Sequence, residues 1–500
     1  MDSLALNTLS AVDARRLIAS RQVSPVELLE ACIAQMHALN PAVNALAATR
    51  FQHARSEARV AEQAVMRGEK LGLLHGLPLG VKDLEETAGL LTTYGSPIFR
   101  GNVPLHDNAM VARLRAAGAI LTAKTNTPEM GAGANTRNAV WGATGNPFDP
   151  ALNAGGSSGG SAVALATNML PLCTGTDTGG SLRIPAALCG VVGFRPSPGL
   201  VPGDTRLLGW SPLTVSGPMG RDVADTRLQL AAMVGLHDRE PFGVDCDYRT
   251  ILRAREVDLN TLRIGYTEDF GACEVSLATR QTFRGKMAAL SRYVGVCEPV
   301  TFELGEVNRC FDVVRAQNFI ASFKEIYERD PDLLGSNTRT NYEMGLAMSL
   351  GDAVWAHAEQ TRIFRRFQAM FDRFDLIVSP TCSVSPFPWQ TLYLAEMDGR
   401  PLENYYRWLG LTYVVSLLTN PTLSLPCGTD HAGLPFGLQL VGPFRNDRCV
   451  LDIAQALESA FSRDDALQRP TPDLGKLAET RVALKSIVTH APDEVLAQGG

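Results

Sequence analysis

Two glycine-serine turns in the middle of the sequence contain residue types that could perform nucleophilic chemistry. The first runs from Gly155 to Ser161 as GGSSGGS, and the second runs from Gly175 to Arg183 as GTDTGGSLR. Paired glycines adopt backbone conformations that other residues avoid, and they let a substrate approach the chain closely. Each turn precedes a helix-like segment, so a serine there would present its hydroxyl at a helix N-terminus.

The second turn could also stabilise negative charge on a substrate oxygen. Four consecutive backbone N–H groups are expected to converge at a helix N-terminus, where the positive end of the helix dipole favours an oxyanion. They belong to Thr178, Gly179, Gly180 and Ser181. A glycine-rich turn alone is also typical of a flexible loop or a phosphate site. A nucleotide-binding P-loop is excluded, because neither turn contains G-x-x-x-x-G-K-[S/T].

A serine nucleophile needs a base, and the sequence offers two kinds. Gly156, Ser158 and Gly160 satisfy G-x-S-x-G, the nucleophile elbow of α/β-hydrolases, which requires a histidine further along the chain. The histidines that follow in that order, none of them in a motif that marks a base, are His237, His357, His431 and His490. A lysine buried deeply enough to be neutral can serve instead.

Lys82, at the end of the apolar segment PLGVK, is the candidate for such a base. An isolated lysine in this position is typical of a strand end where the side chain reaches solvent or pairs with an acid such as Asp83. The residues alone therefore leave both interpretations open.

The elements around these residues alternate between helix and strand. Ser24, followed by proline and then Glu27, starts an amphipathic helix. Asp107 is predicted to cap a later helix, and Ser181 is predicted to begin another. Strand-like segments lie at 75–83, 119–123, 170–174, 190–194, 263–267, 376–379 and 436–441. The alternation predicts a large α/β layered sheet, and a long helical region at about 309–374 is expected to be scaffold or a cap on the substrate side.

Composition excludes several classes of function. The formal net charge is -6, with 45% hydrophobic and 20% charged residues, which is ordinary for a globular protein without general affinity for nucleic acid. No stretch is long enough to span a membrane, and the N-terminus lacks a secretory signal, so we expect a cytoplasmic protein without a membrane partner. Ten cysteines without a C-x-x-C pair and eight dispersed histidines predict free thiols and no metal site.

Three ordered segments together resemble the amidase signature family. They are HGLPLGVKDLEETAGLLTTYGS from His75, the GGSSGGS turn, and GTDTGGSLRIPA from Gly175. SPTCSVSPFP from Ser379, TNPTLSLPCG from Thr419 and LPFGLQLVGP from Leu434 resemble the C-terminal half of that family. The resemblance covers about residues 5–465, and the conjunction of motifs in this order is highly specific.

The resemblance implies an α/β/α fold, in which helices flank a large mixed sheet on both faces and an N-terminal helical layer packs on the core. It also implies a triad in which Ser181 is the nucleophile, Ser157 is held by a cis peptide bond and Lys82 is the base. Neutral Lys82 would accept a proton from Ser157, which would accept one from Ser181.

The resemblance further assigns supporting and substrate-binding residues. Asp177 and Arg183 are expected to brace the nucleophile turn rather than contact substrate, and Ser158 is grouped with them as structural support. Met130 and Gly131, in the loop after the third strand, are expected to line a fairly open, apolar acyl pocket.

These residues predict an amidase that cleaves a small-molecule carboxamide through an acyl-enzyme on Ser181, without a cofactor and with side activity on esters or carbamates. Three alternatives remain: a glutaminase-like component of a tRNA-dependent amidotransferase complex, an α/β-hydrolase esterase that uses Ser158, and a non-catalytic binding protein. Family members are often homodimers, so a homodimer is expected.

The predicted domain organisation has three parts. Residues 1–70 form the N-terminal helical layer, residues 71–470 form the catalytic domain, and residues 471–500 form a C-terminal extension. The extension lacks apolar periodicity at its end, so it is expected to be held loosely on the surface.

Overall fold

A mixed sheet of eleven strands runs through the computed structural model, which describes residues 6–499. The strands of the protein are β1 (Leu46–Thr49), β2 (Pro78–Lys82), β3 (Ile120–Thr125), β4 (Arg137–Asn138), β5 (Gly142–Ala143), β6 (Leu172–Asp177), β7 (Val192–Arg195), β8 (Val215–Gly220), β9 (Arg263–Tyr266), β10 (Val296–Pro299), β11 (Leu376–Pro380), β12 (Glu396–Met397), β13 (Arg400–Pro401), β14 (Thr422–Thr429) and β15 (Pro435–Val441). The pairs β4–β5 and β12–β13 are separate, and the other strands form the main sheet in the order β1-β3-β2-β6-β8-β7-β14-β15-β11-β9-β10.

The sheet contains both parallel and antiparallel pairs of strands. Strand β2 is parallel to both of its neighbours, β3 and β6, and β9 is parallel to β10 and β11. In the centre of the sheet each strand pairs antiparallel with the next one in the order β6, β8, β7, β14 and β15. The predicted large mixed sheet is therefore confirmed.

Helices cover the sheet on both sides. They are α1 (Ala11–Ala19), α2 (Pro25–Val43), α3 (Phe51–Arg67), α4 (Ala109–Ala116), α5 (Gly159–Ala166), α6 (Arg183–Cys189), α7 (Val223–Met233), α8 (Tyr248–Leu252), α9 (Leu277–Leu290), α10 (Val307–Arg329), α11 (Ser336–Leu346), α12 (Leu350–Gln368), α13 (Gly410–Leu418), α14 (Asp447–Phe461), α15 (Leu474–Glu479) and α16 (Glu494–Ala497). The long helical region expected at 309–374 consists of α10, α11 and α12.

The two largest hydrophobic clusters lie on opposite faces of the sheet. In β11, Val378 belongs to the cluster that contains buried residues of α2, α7, α9 and α14, whereas Ile377 belongs to the cluster built from α10, α12 and α13. In β15 the neighbours Leu440 and Val441 divide in the same way. Successive residues of a strand point to opposite faces, so the fold is the predicted α/β/α arrangement.

The predicted starts of two helices can be compared with the structure. Ser24 and Glu27 form the predicted capping box at the start of α2. The cap of α4 differs: Asn108, rather than Asp107, accepts the hydrogen bond from the Val111 N–H. Asp107 instead accepts from the Ala88 N–H and pairs with Arg115. Two adjacent residues could both cap, and the tertiary contacts of Asp107 decide between them.

The N-terminal segment is more than a helical layer. It supplies α1, α2 and α3, but β1 from the same segment extends the main sheet by pairing with β3. Residues 1–5 of the predicted layer lie outside the described residues, and the division into three domains stays a prediction. Within residues 6–499, no helix is both long and apolar enough to cross a membrane. All ten cysteines are free thiols, of which six are buried and four are half-buried.

The C-terminal extension is packed rather than loosely held, which corrects the expectation for this segment. Leu477 joins the main hydrophobic cluster, and Leu484 is only 2% exposed in a small cluster with Ala143 and Trp389. The Leu484 carbonyl accepts a hydrogen bond of 2.8 Å from the Ala143 N–H. Leu484 lies in a turn outside the helices and strands, so no periodic pattern marks it. Gly500 lies outside the described residues.

We expect Leu484→Ala to lower the free energy of unfolding by about 2–4 kcal/mol, because it removes a buried side chain and leaves a cavity. Chemical denaturation followed by circular dichroism would measure the change. Val495→Ala is the matched control in the same tail, because Val495 is 65% exposed, and it should change stability by less than about 0.5 kcal/mol. Equal effects of both changes would contradict the packed tail.

Candidate active site

Lys82 lies at the carboxyl end of β2, inside the sheet, with its side chain fully buried. Its Nζ atom is 2.6 Å from Ser157 Oγ, 2.9 Å from Ser158 Oγ and 2.8 Å from Thr176 Oγ1. The amine forms no salt bridge among residues 6–499. Neither alternative role for the lysine fits, because the side chain neither reaches solvent nor pairs with Asp83.

Burial lowers the pKa of Lys82 to about 7. Removal from water disfavours the charged ammonium, and the more distant carboxylates of Glu85 and Asp177 only partly offset this effect. A large fraction of the amine is therefore neutral near physiological pH. A neutral amine has the lone pair that a general base requires.

The two glycine-serine turns meet beside this lysine. The peptide bond between Gly156 and Ser157 is cis, and the Ser158 N–H donates to the Ser181 carbonyl at 3.2 Å. Ser157 is only 2% exposed, whereas Ser181 is partly exposed. The Ser181 hydroxyl forms no hydrogen bond in the described part of the chain. Of the serines in the two turns that adjoin the lysine, Ser181 is therefore the one open to a substrate.

Ser158 lacks the features of a nucleophile elbow. Its side chain is completely buried, and its hydroxyl accepts from Lys82. None of the four downstream histidines is hydrogen-bonded to it within residues 6–499. His357 instead contacts Gln317, and His490 contacts Thr489. The structure therefore gives the esterase alternative no base.

A buried cluster of charged side chains holds the second turn in place. The Asp177 carboxylate pairs with Arg183 at 2.8 Å and with Arg195 at 3.0 Å, and all three side chains are completely buried. Burial alone would raise the pKa of Asp177, but the two guanidinium groups outweigh it and hold that pKa well below its usual range. Arg183 also donates to Gln439 and Ser416, which ties the turn to β15 and α13. These contacts are the ones that a bracing role for Asp177 and Arg183 requires, and the role itself stays a prediction.

The backbone N–H groups of the second turn fall into two sets. The Gly180 N–H donates to Asp177 Oδ1 at 3.0 Å, so it is already occupied. The N–H groups of Thr178, Gly179 and Ser181 have no acceptor in the described residues. Gly180 has φ +125°, and a Cβ atom there would lie 2.2 Å from Thr412 Oγ1, so only glycine fits.

Met130 and Gly131 follow β3 in a short helical turn beside the lysine site. A Cβ atom on Gly131 would be 3.5 Å from Ser157 Oγ, so this backbone lies directly against the Ser157 hydroxyl. Met130 is partly exposed, and its N–H donates to the Tyr94 carbonyl. Helix α11 covers this loop, because Asn337 donates to the Ala132 carbonyl at 3.0 Å.

Several residues at the site were missed by the sequence analysis. Thr176 precedes Asp177 and could have been found, because alternation along β6 puts Thr174 and Thr176 on the same face of the sheet. Both contact Lys82 of the neighbouring strand β2. Arg195 and Thr412 carried no local signal. They come from β7 and α13, which reach the turn only in the folded chain.

Comparison with known proteins decides the family. The model for the amidase family matches residues 27–451. The chain belongs to the amidase family. The resemblance to amidase signature proteins is thereby confirmed, and the chain is an enzyme that acts on amide C–N bonds.

Individual members of the amidase family support this assignment. The chain is 32% identical over 466 residues to an acylamidase of Rhodococcus erythropolis, covering 91% of this chain and 96% of the relative. It is 33% identical over 481 residues to one of the subunits of the glutamyl-tRNA(Gln) amidotransferase of Acidothermus cellulolyticus, covering 90% and 94%. The crystal structure of a bacterial aryl acylamidase superposes with a TM-score of 0.86 at 25% identity, covering 95% and 99%.

We expect Asp177→Asn to destabilise this amidase by about 3–5 kcal/mol, because it leaves two buried guanidinium groups without a countercharge. Denaturant unfolding would measure the loss. Glu328→Gln is the matched control, since it breaks an exposed pair with Lys324, and exposed pairs contribute at most about 1 kcal/mol. A loss for Asp177→Asn no larger than that of the control would refute the bracing role.

Proposed function

We propose that the protein is an amidase that hydrolyses a small-molecule carboxamide to a carboxylic acid and ammonia or an amine. Ser181 is the nucleophile, and Ser157 and Lys82 form the proton relay. The observation that carries this proposal is the 2.6 Å contact between the buried Lys82 amine and the Ser157 hydroxyl. An uncharged amine at that distance can take the serine proton directly.

The three hydroxyl neighbours of Lys82 match the bonding of a neutral amine. A neutral lysine has two N–H bonds and one lone pair. Ser158 and Thr176, at 2.9 and 2.8 Å, can accept the two N–H bonds. The lone pair then faces the remaining neighbour, Ser157. In this arrangement Ser158 orients the base and does not attack the substrate, which agrees with its predicted supporting role.

The reaction begins when Ser181 Oγ attacks the substrate carbonyl. The proton of Ser181 passes to Ser157 Oγ, whose own proton passes to the Lys82 amine. The relay then runs in reverse and protonates the leaving nitrogen as the C–N bond breaks. Water attacks the acyl-enzyme with the same proton transfers and releases the acid. Amides need this protonation because amines leave poorly, and esters and carbamates follow the same route as side substrates.

The second turn supplies donors for the developing oxyanion. The N–H groups of Thr178, Gly179 and Ser181 are free of other acceptors in the described residues, and they are available to the substrate oxygen. The Gly180 N–H contributes indirectly, because its bond to Asp177 fixes the turn. Met130 and Gly131 border the acyl group, since Gly131 adjoins Ser157.

The alternative is a glutaminase-like component of a tRNA-dependent amidotransferase complex. The specific reason to keep it is the similarity to the glutamyl-tRNA(Gln) amidotransferase chain, at 33% identity against 32% for the acylamidase. Both proteins would use the same nucleophile and base. They differ in that the component works beside partner chains, whereas the proposed amidase acts alone on a small molecule.

We expect the isolated chain to hydrolyse at least one amide in a panel of aryl, fatty, short aliphatic and peptide-like amides, and to be labelled on Ser181 by a fluorophosphonate probe. Lys82→Ala should reduce kcat/KM by about 10²–10⁴-fold, because it removes the general base. Ser181→Ala should abolish labelling. Mass spectrometry of the labelled peptide and product release assays would measure both effects.

Ser158→Ala separates this proposal from the elbow mechanism. Under the relay it removes one acceptor of the amine and should cost much less than Lys82→Ala, whereas under the elbow mechanism it abolishes turnover and Lys82→Ala is tolerated. Labelled Ser181 without turnover of any amide in the isolated chain would favour the amidotransferase alternative. Unlabelled folded protein would count against catalysis.

We expect kcat/KM for the amide to rise with pH through a midpoint near pH 7. Lys82 must be neutral to act, its folded pKa is about 7, and activity is therefore present above that value and lost as the ammonium forms below it. Initial rates between pH 5 and 9 at constant ionic strength would measure the profile. A rate that stays level down to pH 5 would contradict a lysine base.

A further inference from the structure

Glu85 is a buried acid close to Lys82 that the proposed reaction does not use. It lies three residues after the lysine, and its N–H donates to the Lys82 carbonyl at 3.0 Å. This turn folds the chain back at the end of β2. As a result Glu85, which is only 5% exposed, stays inside the protein rather than at its surface.

The Glu85 carboxylate is held at a defined position next to the lysine. Ser216 Oγ donates to Glu85 Oε1 at 2.7 Å, and Asn108 Nδ2 donates to the other carboxylate oxygen. Ser216 in β8 is the direct partner of Thr176 in β6, and Thr176 is a hydrogen-bond partner of Lys82. Directly opposed residues of antiparallel strands share one face of the sheet. The carboxylate and the amine are therefore fixed to neighbouring side chains on the same face.

The other acid that acts on Lys82 is already matched. Asp177 also acts on Lys82, but its charge is balanced by Arg183 and Arg195. Lys124 is buried on the far side of Glu85, where its Nζ atom donates to the Glu85 carbonyl and to Thr87. The remaining acids that face Lys124 are Asp83, Asp107 and Glu86. Asp83 is bound to Thr93, and Asp107 is paired with Arg115.

We propose that Glu85 is a positioning residue that keeps a negative charge beside Lys82 and so sets the pH below which the lysine stops acting as the base. This inference rests on the proposed function of Lys82. Its physical basis is that a carboxylate stabilises a nearby ammonium strongly in an interior without water. Burial by itself weakens a lysine as a base, and the neighbouring charge restores part of its affinity for a proton.

The electrostatics of the pair agree with this role. Burial lowers the pKa of Lys82, and Glu85 is the first group that opposes this change. Burial raises the pKa of Glu85, and Ser216, Asn108, Lys124 and Lys82, which favour its charged form, offset this rise only in part. Lys124 has its own pKa lowered by burial to about 8, so it remains largely charged at neutral pH.

The test is the pH dependence of Ser181 labelling by a fluorophosphonate probe, which requires no knowledge of the natural substrate. Glu85→Gln keeps the shape and removes the charge, so the ammonium of Lys82 loses stabilisation and the midpoint of the labelling rate should fall by about one pH unit. Glu85→Asp keeps the charge, and its midpoint should lie near that of the unchanged protein. Glu86→Gln is the matched control, because Glu86 is the adjacent, partly exposed acid, and it should leave the midpoint unchanged.

A midpoint for Glu85→Gln equal to that of the unchanged protein, or a uniform loss of rate at every pH, would overturn the proposal. If this variant does not fold, Glu85→Gln combined with Lys124→Gln is compared with Lys124→Gln alone, since the double change leaves no unmatched Lys124 ammonium. The midpoint should again fall, and equal midpoints would overturn the proposal. Undiminished labelling of Lys82→Ala would instead refute the proposed base, so the two failures are distinguishable.

Discussion

The removal of one ammonium group from water is the constraint on which the rest of this structure depends. Lys82 ends a strand that has parallel neighbours on both sides, and its side chain meets three hydroxyl groups and no directly bonded carboxylate. A salt bridge would have kept the lysine charged, and an exposed position would have done the same. The sheet and the glycine-rich turns together produce the environment in which the amine loses its proton near neutral pH.

The buried carboxylate of Asp177 lies in the opposite kind of environment. The Asp177 carboxylate pairs with two guanidinium groups and accepts hydrogen bonds from the backbone N–H groups of Gly180 and Leu182. Its charge is therefore firmly stabilised. A fully compensated carboxylate of this kind is unsuited to proton transfer and well suited to holding a backbone turn. The Lys82 amine is thus left without a directly paired acid among residues 6–499, whereas the Asp177 carboxylate is fully paired and holds the turn that contains Ser181.

The proteins similar to this chain have names that describe different reactions. Identity is almost the same to an acylamidase and to an amidotransferase chain. The loop that contains Met130 and helices α10 and α11 lie around the site. Phe311 of α10 lies over the nucleophile turn, since a Cβ atom on Gly179 would be 3.2 Å from its ring. Asn337 of α11 binds the loop itself.

The sequence alone determined the residues with chemical potential and the elements that carry them. The capping box at Ser24, the strand that ends at Lys82 and the two glycine-serine turns were all predicted, because each depends on neighbours along the chain. The Gly156–Ser157 cis bond was expected only through the family resemblance, and the structure has it. The tertiary structure decided which hydroxyl groups surround the amine, which N–H groups of the turn remain free, and how Glu85 and Arg195 enter the site. It also decided the packing of Leu484 and the choice of Asn108 over Asp107 as a cap. These features depend on hydrogen bonds and burial between segments that are distant in sequence, and no local pattern contains that information.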